Sequence, residues 1–429
     1  MLNIQVKIHF YMLIRIVRRC PLLFSISLIG LASCHKGTNV TPVLPGKNLV
    51  LTAYEQQKVT ADNAFSIRLF RSVDSTNSSG ANLFISPLSV SFALGMTSNG
   101  AEGATLTAFQ HVLGFNGLSQ EQVNTYYNNL ITNLPQLDPY TTLNIANSIW
   151  YKQGFSVTSQ FLQTDSAYFH AGVESLDFSS ASAPATINNW VSNKTNGAIP
   201  AIISSIPPDM VMYLIDAMYF KSSWKEKFNA SATRPGTFYL PDNATVQAQM
   251  MTGDIDYNFY ADSKALVYEL PYTNDHFSMV IIEPAAGTSL EGLMPSIDSA
   301  QWQTWMSGLR PTNNTLTMPK FKFSYGTNLN QPLTNLGLGI AFTTNANFLL
   351  INPDPSWQLR IGQVQHNAFV DVDESGTTAA AATAVGVEGD TATANPPPIN
   401  HPFLFAIREM SSGAILFIGT VNNPLLTGN

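Results

Sequence analysis

Residues 371–398 read DVDESGTTAAAATAVGVEGDTATANPPP, a long stretch with almost no large side chain. It follows QVQHNAFV at 363–370, which alternates apolar and polar residues as a strand does. It precedes HPFLFAIRE and AILFIGTV, two short apolar runs that read as buried strands. A connection of that length inside a compact domain is uncommon and is usually functional or disordered. Its composition argues against a plain linker. The run Ala379, Ala380, Ala381 and Ala382 carries no side-chain entropy cost, and Thr377, Thr378 and Thr383 favour extended backbone. Gly376 supplies a pivot. Such a segment can stand exposed in one state and fit between close-packed strands in another.

The totals leave room for a large core. The chain has 429 residues, 45% of them hydrophobic and 11% charged, with a net charge of −7. No cluster of Lys and Arg lies beyond the N-terminus, which argues against nucleic-acid binding. The two cysteines, Cys20 and Cys34, both lie near the start. Lys7, Arg15, Arg18 and Arg19 precede the apolar run at 22–31, which ends in Leu31-Ala32-Ser33-Cys34. Basic flank, short apolar core and small residues predict a secretory leader over 1–33, too short for a membrane span. The polar segment with Pro42, Pro45, Gly37 and Gly46 reads as a tether over 34–54.

From residue 55 onward no linker interrupts the pattern. Val59, Phe65, Ile67, Leu69 and Phe70 fit a one-sided helix, and Ser86-Pro87 opens a second helix as cap and first-turn proline. Helical patterns continue at 104–113 and 120–134. A long alternating strand follows at 143–151, a helix at 187–194 and an apolar central strand at 210–220. Strands fill 237–284, helices return near 290–308, and strands dominate the end. Helices early and sheets late in one unbroken core predict a single α+β domain over 55–425.

Catalytic signals are weak. Ser222-Ser-Trp-Lys225 matches the S-x-x-K of penicillin-recognising enzymes, but Lys194-Thr195-Asn196, a faint K-T-G, stands on the wrong side of it. The seven histidines are scattered without metal-ligand spacing. Neither an enzyme nor a cofactor site is predicted.

The segment Glu374-Ser-Gly-Thr-Thr-Ala-Ala-Ala-Ala-Thr-Ala384 closely resembles the hinge of inhibitory serpins. The resemblance recurs in family order at NLFISPLSVSFAL (82–94), NWVSNKTNGAI (189–199), AMYFKSSWKEKF (217–228), ELPY (269–272), SMVIIEP (278–284), MPKFKF (318–323) and HPFLF (401–405). It implies a large central mixed β-sheet, additional sheets, about eight to nine helices, and an exposed reactive-centre loop over about 374–398. The implied activity is that of a suicide substrate. A target protease cleaves the loop and forms an acyl-enzyme, and the loop then inserts as a new strand before deacylation. A relative that keeps the fold but only binds is the alternative.

The resemblance also assigns residues. Glu374 stands at the base of the hinge, Gly376 at its pivot and Thr377 at the first inserting position, with Ala379–Ala382 as the small-residue run. Ser86, Asp216 and His366 fall at the polar cluster beneath the opening sheet, the family's shutter. Most members carry Asn where this chain has Asp216, which predicts an Asp216–His366 pair; a satisfied core histidine is the other reading. Trp224 matches the breach tryptophan at the top of the sheet. The scissile residue, fourteen positions after Gly376, is Asp390, with cleavage before Thr391. Asp390 points to an Asp-specific protease of the serine or cysteine class. The stretch from Asp390 to His401 is slightly long for the family, leaving Val387 or Thr391 as baits for an elastase-like one. No Lys or Arg lies between His366 and Arg408, which disfavours trypsin-like targets. The leader's ending resembles a bacterial lipobox, implying a lipid on Cys34 and a monomer anchored in the cell envelope.

Overall fold

The computed structural model describes residues 44–77, 80–378 and 396–428. The leader, Cys34, Ala379, Ala380, Ala381, Ala382, Asp390 and Thr391 lie outside these residues.

Six helices, interleaved with three strands, occupy the first half of the described residues: α1 (Ala53–Ser75), α2 (Pro87–Ser98), α3 (Gly103–Leu113), α4 (Gln120–Asn133), α5 (Ser159–Phe169) and α6 (Ala183–Lys194). Ser86 caps α2 as its sequence predicts, its side chain accepting from Ser89 N at 3.3 Å. Nearly every residue of α2 is buried, because the helix lies between two sheets and has no solvent face. Three shorter helices follow: α7 (Leu290–Leu293), α8 (Ser299–Gly308) and α9 (Asn330–Leu333).

The larger sheet runs β1 (Leu83–Ile85), β14 (Ile415–Val421), β13 (Phe403–Glu409), β8 (Phe277–Pro284), β7 (Ala265–Pro271), β6 (Thr245–Ala261), β5 (Arg234–Tyr239), with β9 (Arg310–Pro319) also on β6. The second sheet runs β10 (Phe321–Asn328), β11 (Gln365–Asp373), β12 (Gly376–Thr377), β4 (Met212–Ser223), β2 (Thr142–Lys152), β3 (Gly172–Leu176). It is mixed, because β2 and β3 pair in parallel and the other neighbours are antiparallel.

β4 is apolar on both faces because both are covered. Met218 and Phe220 join the main core with α2, whereas Tyr213, Ile215 and Ala217 pack with Ile187 and Val191 of α6. One buried charge pair sits in the main core: Lys58 bonds Asp62 one turn on along α1, and Tyr126 Oη donates to Asp62 Oδ2 at 2.8 Å.

Residues 44–52, assigned to the tether for their Pro, Gly and polar content, lie along the body. Lys47 N donates to Leu137 O at 2.7 Å, and Leu49 is buried.

Candidate functional site

β4 and β11 run parallel, and among the described residues they are hydrogen-bonded to each other only through β12. Gly376 pairs with Ser223 and Asp373, and Thr377 with Ser222 and Val372. Below these two registers, the facing edges of β4 and β11 enter no strand pairing among the described residues. On its other edge β4 pairs with β2 from Lys221 to Met212. The sheet is therefore parted, with two residues of the hinge set between the parted strands.

Local chemistry holds the hinge there. Gly376 has φ +150°, and a Cβ on it would come within 2.1 Å of Ser222 O, so no larger residue fits the turn. Thr377 is buried, its hydroxyl 2.6 Å from Tyr272 Oη. Trp224, also buried, stacks on Tyr272 at 4.7 Å and donates from Nε1 to Asp373 O at 2.9 Å. Trp224 N donates to Ser375 O at 3.0 Å, and Phe228 N donates to Glu374 O at 3.0 Å. Glu374 pairs with Lys320 Nζ at 2.7 Å and accepts from Thr233 Oγ1 at 2.6 Å. Burial alone would raise the Glu374 carboxyl; the bonds from Lys320 and Thr233 outweigh it and hold the group below the usual range. Glu374, Gly376, Thr377 and Trp224, separately assigned in the sequence, thus form one cluster. Tyr272, Lys320 and Thr233 were not singled out there, although Tyr272 and Lys320 stand inside the ELPY and MPKFKF motifs.

Lower in the parted sheet lies a cavity of about 660 Å³, lined by Ser89, Leu94, Ile215, Asp216, Phe348 and His366 among others. His366 Nε2 accepts from Ser86 N at 3.0 Å, and Ser86 Oγ donates to Leu416 O at 2.8 Å. Asp216 accepts from Ser89 Oγ, while its Oδ2 is buried with no hydrogen-bond partner among the described residues. The expected Asp216–His366 ion pair is corrected by these contacts: each residue bonds to the first turn of α2 or its cap instead. Burial disfavours both charges, depressing His366 to about 4 and raising Asp216 well above the carboxylate range against the opposing Ser89 bond. A charged pair has no support from either side. Ser89 is the partner that the sequence did not flag, since it lies within an apolar helix.

Among the described residues the arrangement offers two strand edges that do not pair with each other, a glycine pivot at their upper end and a neutral polar cluster at their middle.

Comparison with known proteins gives the same picture over most of the chain. A family model described as serpin (serine protease inhibitor) matches residues 60–424. Chicken neuroserpin is 33% identical over 80% of this chain and 86% of its own length. Human leukocyte elastase inhibitor is 32% identical over 86% of this chain and 100% of its own length. The solved structure of human thyroxine-binding globulin complexed with thyroxine covers 87% of this chain and 100% of that one, with a TM-score of 0.79 at 28% identity. The family thus holds inhibitory members and non-inhibitory ones. On the matched family model and the parted sheet with its glycine-pivoted hinge, the chain belongs to the serpin family.

Proposed function

We propose that this serpin is an irreversible suicide-substrate inhibitor of proteases. The observation that carries the reading is β12: Gly376 and Thr377 already occupy the first two registers of a strand between β4 and β11. After cleavage, the rest of the loop can continue along the same two edges. An insertion of some ten residues adds comparable numbers of backbone hydrogen bonds at about 1 kcal/mol net each, a drive on the order of 10 kcal/mol. Continuing the β12 register brings Thr383 level with Asp216 on one side and His366 on the other. Thr383 is an even number of residues beyond Thr377 and so faces the core as Thr377 does. Its hydroxyl suits a neutral Asp216 and a neutral His366, whereas a charged pair there would resist it.

The bait is Asp390, cleaved before Thr391, and the target is a serine or cysteine protease whose pocket accepts Asp; Val387 or Thr391 serves if the target is elastase-like. The protein acts as a monomer without a cofactor and performs no catalysis of its own. Cys34 carries a lipid that anchors it in a bacterial cell envelope, periplasmic or at the surface. The test is incubation with Asp-specific and elastase-like proteases. The reading requires an SDS-resistant complex of inhibitor and protease. Loop cleavage without any complex makes the protein a non-inhibitory member that binds through the same fold.

A further inference from the structure

The segment 44–52 is tied to the body at several points. Leu44 N donates to Tyr140 Oη at 3.2 Å, and Leu49 N donates to Ser411 Oγ at 3.2 Å. Asn129 Nδ2 donates to Val50 O at 3.1 Å. At Gly46 the fit is closest: a Cβ there would fall 2.0 Å from His276 Nε2 and 2.5 Å from Leu137 O. A backbone held this closely on two sides is seated in a slot rather than draped over a surface.

From this strap a continuous chain of hydrogen bonds reaches β4. Asn274 Nδ2 donates both to Leu44 O at 2.9 Å and to Asp138 Oδ1 at 3.0 Å. Thr141 Oγ1 donates to Asp138 Oδ2 at 2.6 Å and lies 2.7 Å from Ser222 Oγ, which then supplies the hydrogen to Thr141. Ser222 is the β4 residue that pairs with Thr377. The next residue is held from the same turn, because Thr273 Oγ1 donates to Ser223 O at 3.2 Å. Thr141 adjoins β2, which pairs with β4, so the links strained if β2 and β4 drew away from β11 together are Asn274 to Asp138 and Thr273 to Ser223.

The geometry points to the strap 44–52 as a restraint on sheet opening: it fixes Asn274 and Asp138 in place, and through Thr141 they hold the end of β4 beside the hinge. The restraint acts before cleavage, when premature insertion of the intact loop would waste the inhibitor. It rests on the loop-insertion reading above for its purpose, but not for its detection. The strap is continuous with the segment that follows Cys34, so whatever fixes the N-terminus is covalently joined to it.

Hydrogen exchange on the full-length protein and two variants tests this. Gly46→Val cannot seat in the slot. Asn274→Gly removes the bridging amide while tolerating the left-handed backbone there (φ 68°). Both variants should exchange the amides of Ser222, Ser223, Gly376 and Thr377 at least about threefold faster than the unsubstituted protein, with those of β13 and β14 unchanged. Both should also lose inhibitory capacity faster on warming. Unchanged exchange at the four hinge amides, or an equal rise throughout the molecule, overturns the proposal. A protein that forms no protease complex but shows the localised rise refutes the inhibitory reading and leaves the restraint standing.

Discussion

His366 sets a pH limit on this fold whose size follows from its burial. The imidazole is 6% exposed, its Nε2 accepts from Ser86 N, and burial depresses it from 6.5 to about 4. The folded state therefore binds this proton less readily than the unfolded chain. The stability it contributes is fully present above about pH 6.5 and is lost as pH falls towards 4. A shift of that size corresponds to about 3 kcal/mol in full, of which about 2 kcal/mol is gone at pH 5. Asp216 acts in the opposite sense. Its raised carboxyl contributes stability at low pH that disappears as pH rises through its folded value. The two trends overlap in the unsubstituted protein, so His366 is best isolated against an Asp216→Asn background. Urea unfolding of Asp216→Asn and of Asp216→Asn/His366→Gln, from about pH 7 to about pH 4, gives the difference directly. Gln retains an acceptor for Ser86 N and does not titrate. The single variant should lose about 2 kcal/mol more than the double variant between pH 7 and pH 5. Parallel curves would mean that His366 is not held neutral, and the account of a neutral polar cluster would fail.

Three further outcomes are expected. Asp216→Asn alone should melt higher than the unsubstituted protein, and its advantage should grow as pH rises above about 5, because the unfolded chain ionises this carboxyl freely while burial keeps the folded one neutral; a constant difference in melting temperature contradicts this. Thr377→Arg would place an unpaired charge where Thr377 is buried against Tyr272, a cost above the roughly 1.4 kcal/mol that makes a tenfold change, so complex formation should fall at least about tenfold while cleavage persists. Asp390→Ala should slow association with an Asp-specific protease by about tenfold or more through loss of charge-assisted bonds, and an unchanged second-order rate would move the bait elsewhere in the loop.

Much of the fold is legible wherever one residue type has one physical use. Ser86-Pro87 announced a helix start and caps α2. The apolar run at 210–220 predicted a central strand, which is β4, and the structure covers it with α2 and α6. Gly376 was marked as a pivot, and its close approach to Ser222 O accounts for it. The missed features depend on partners distant in sequence. The strap looked like linker because its main attachments are backbone groups, such as Lys47 N to Leu137 O, which composition does not display. Lys58 and Asp62, four apart, carry no mark in the sequence, and their burial follows from the bonds that Tyr127 and Tyr126 make to them. Of the two readings open for His366, the satisfied core histidine fits its bond from Ser86 N, and Asp216 turns instead to Ser89, distant in sequence on α2. Asp138, Thr141 and Ser222 are separately unremarkable; only the fold places their hydrogen bonds in series.

The central claim is that the loop completes the strand which Gly376 and Thr377 begin. A crystal structure of the protein after protease cleavage of the loop tests it most directly. The account predicts residues 378 onward as a strand antiparallel to both β4 and β11, with Thr383 between Asp216 and His366 and the cavity of about 660 Å³ filled. A cleaved protein in which the edges of β4 and β11 stay unpaired below Thr377 would contradict it.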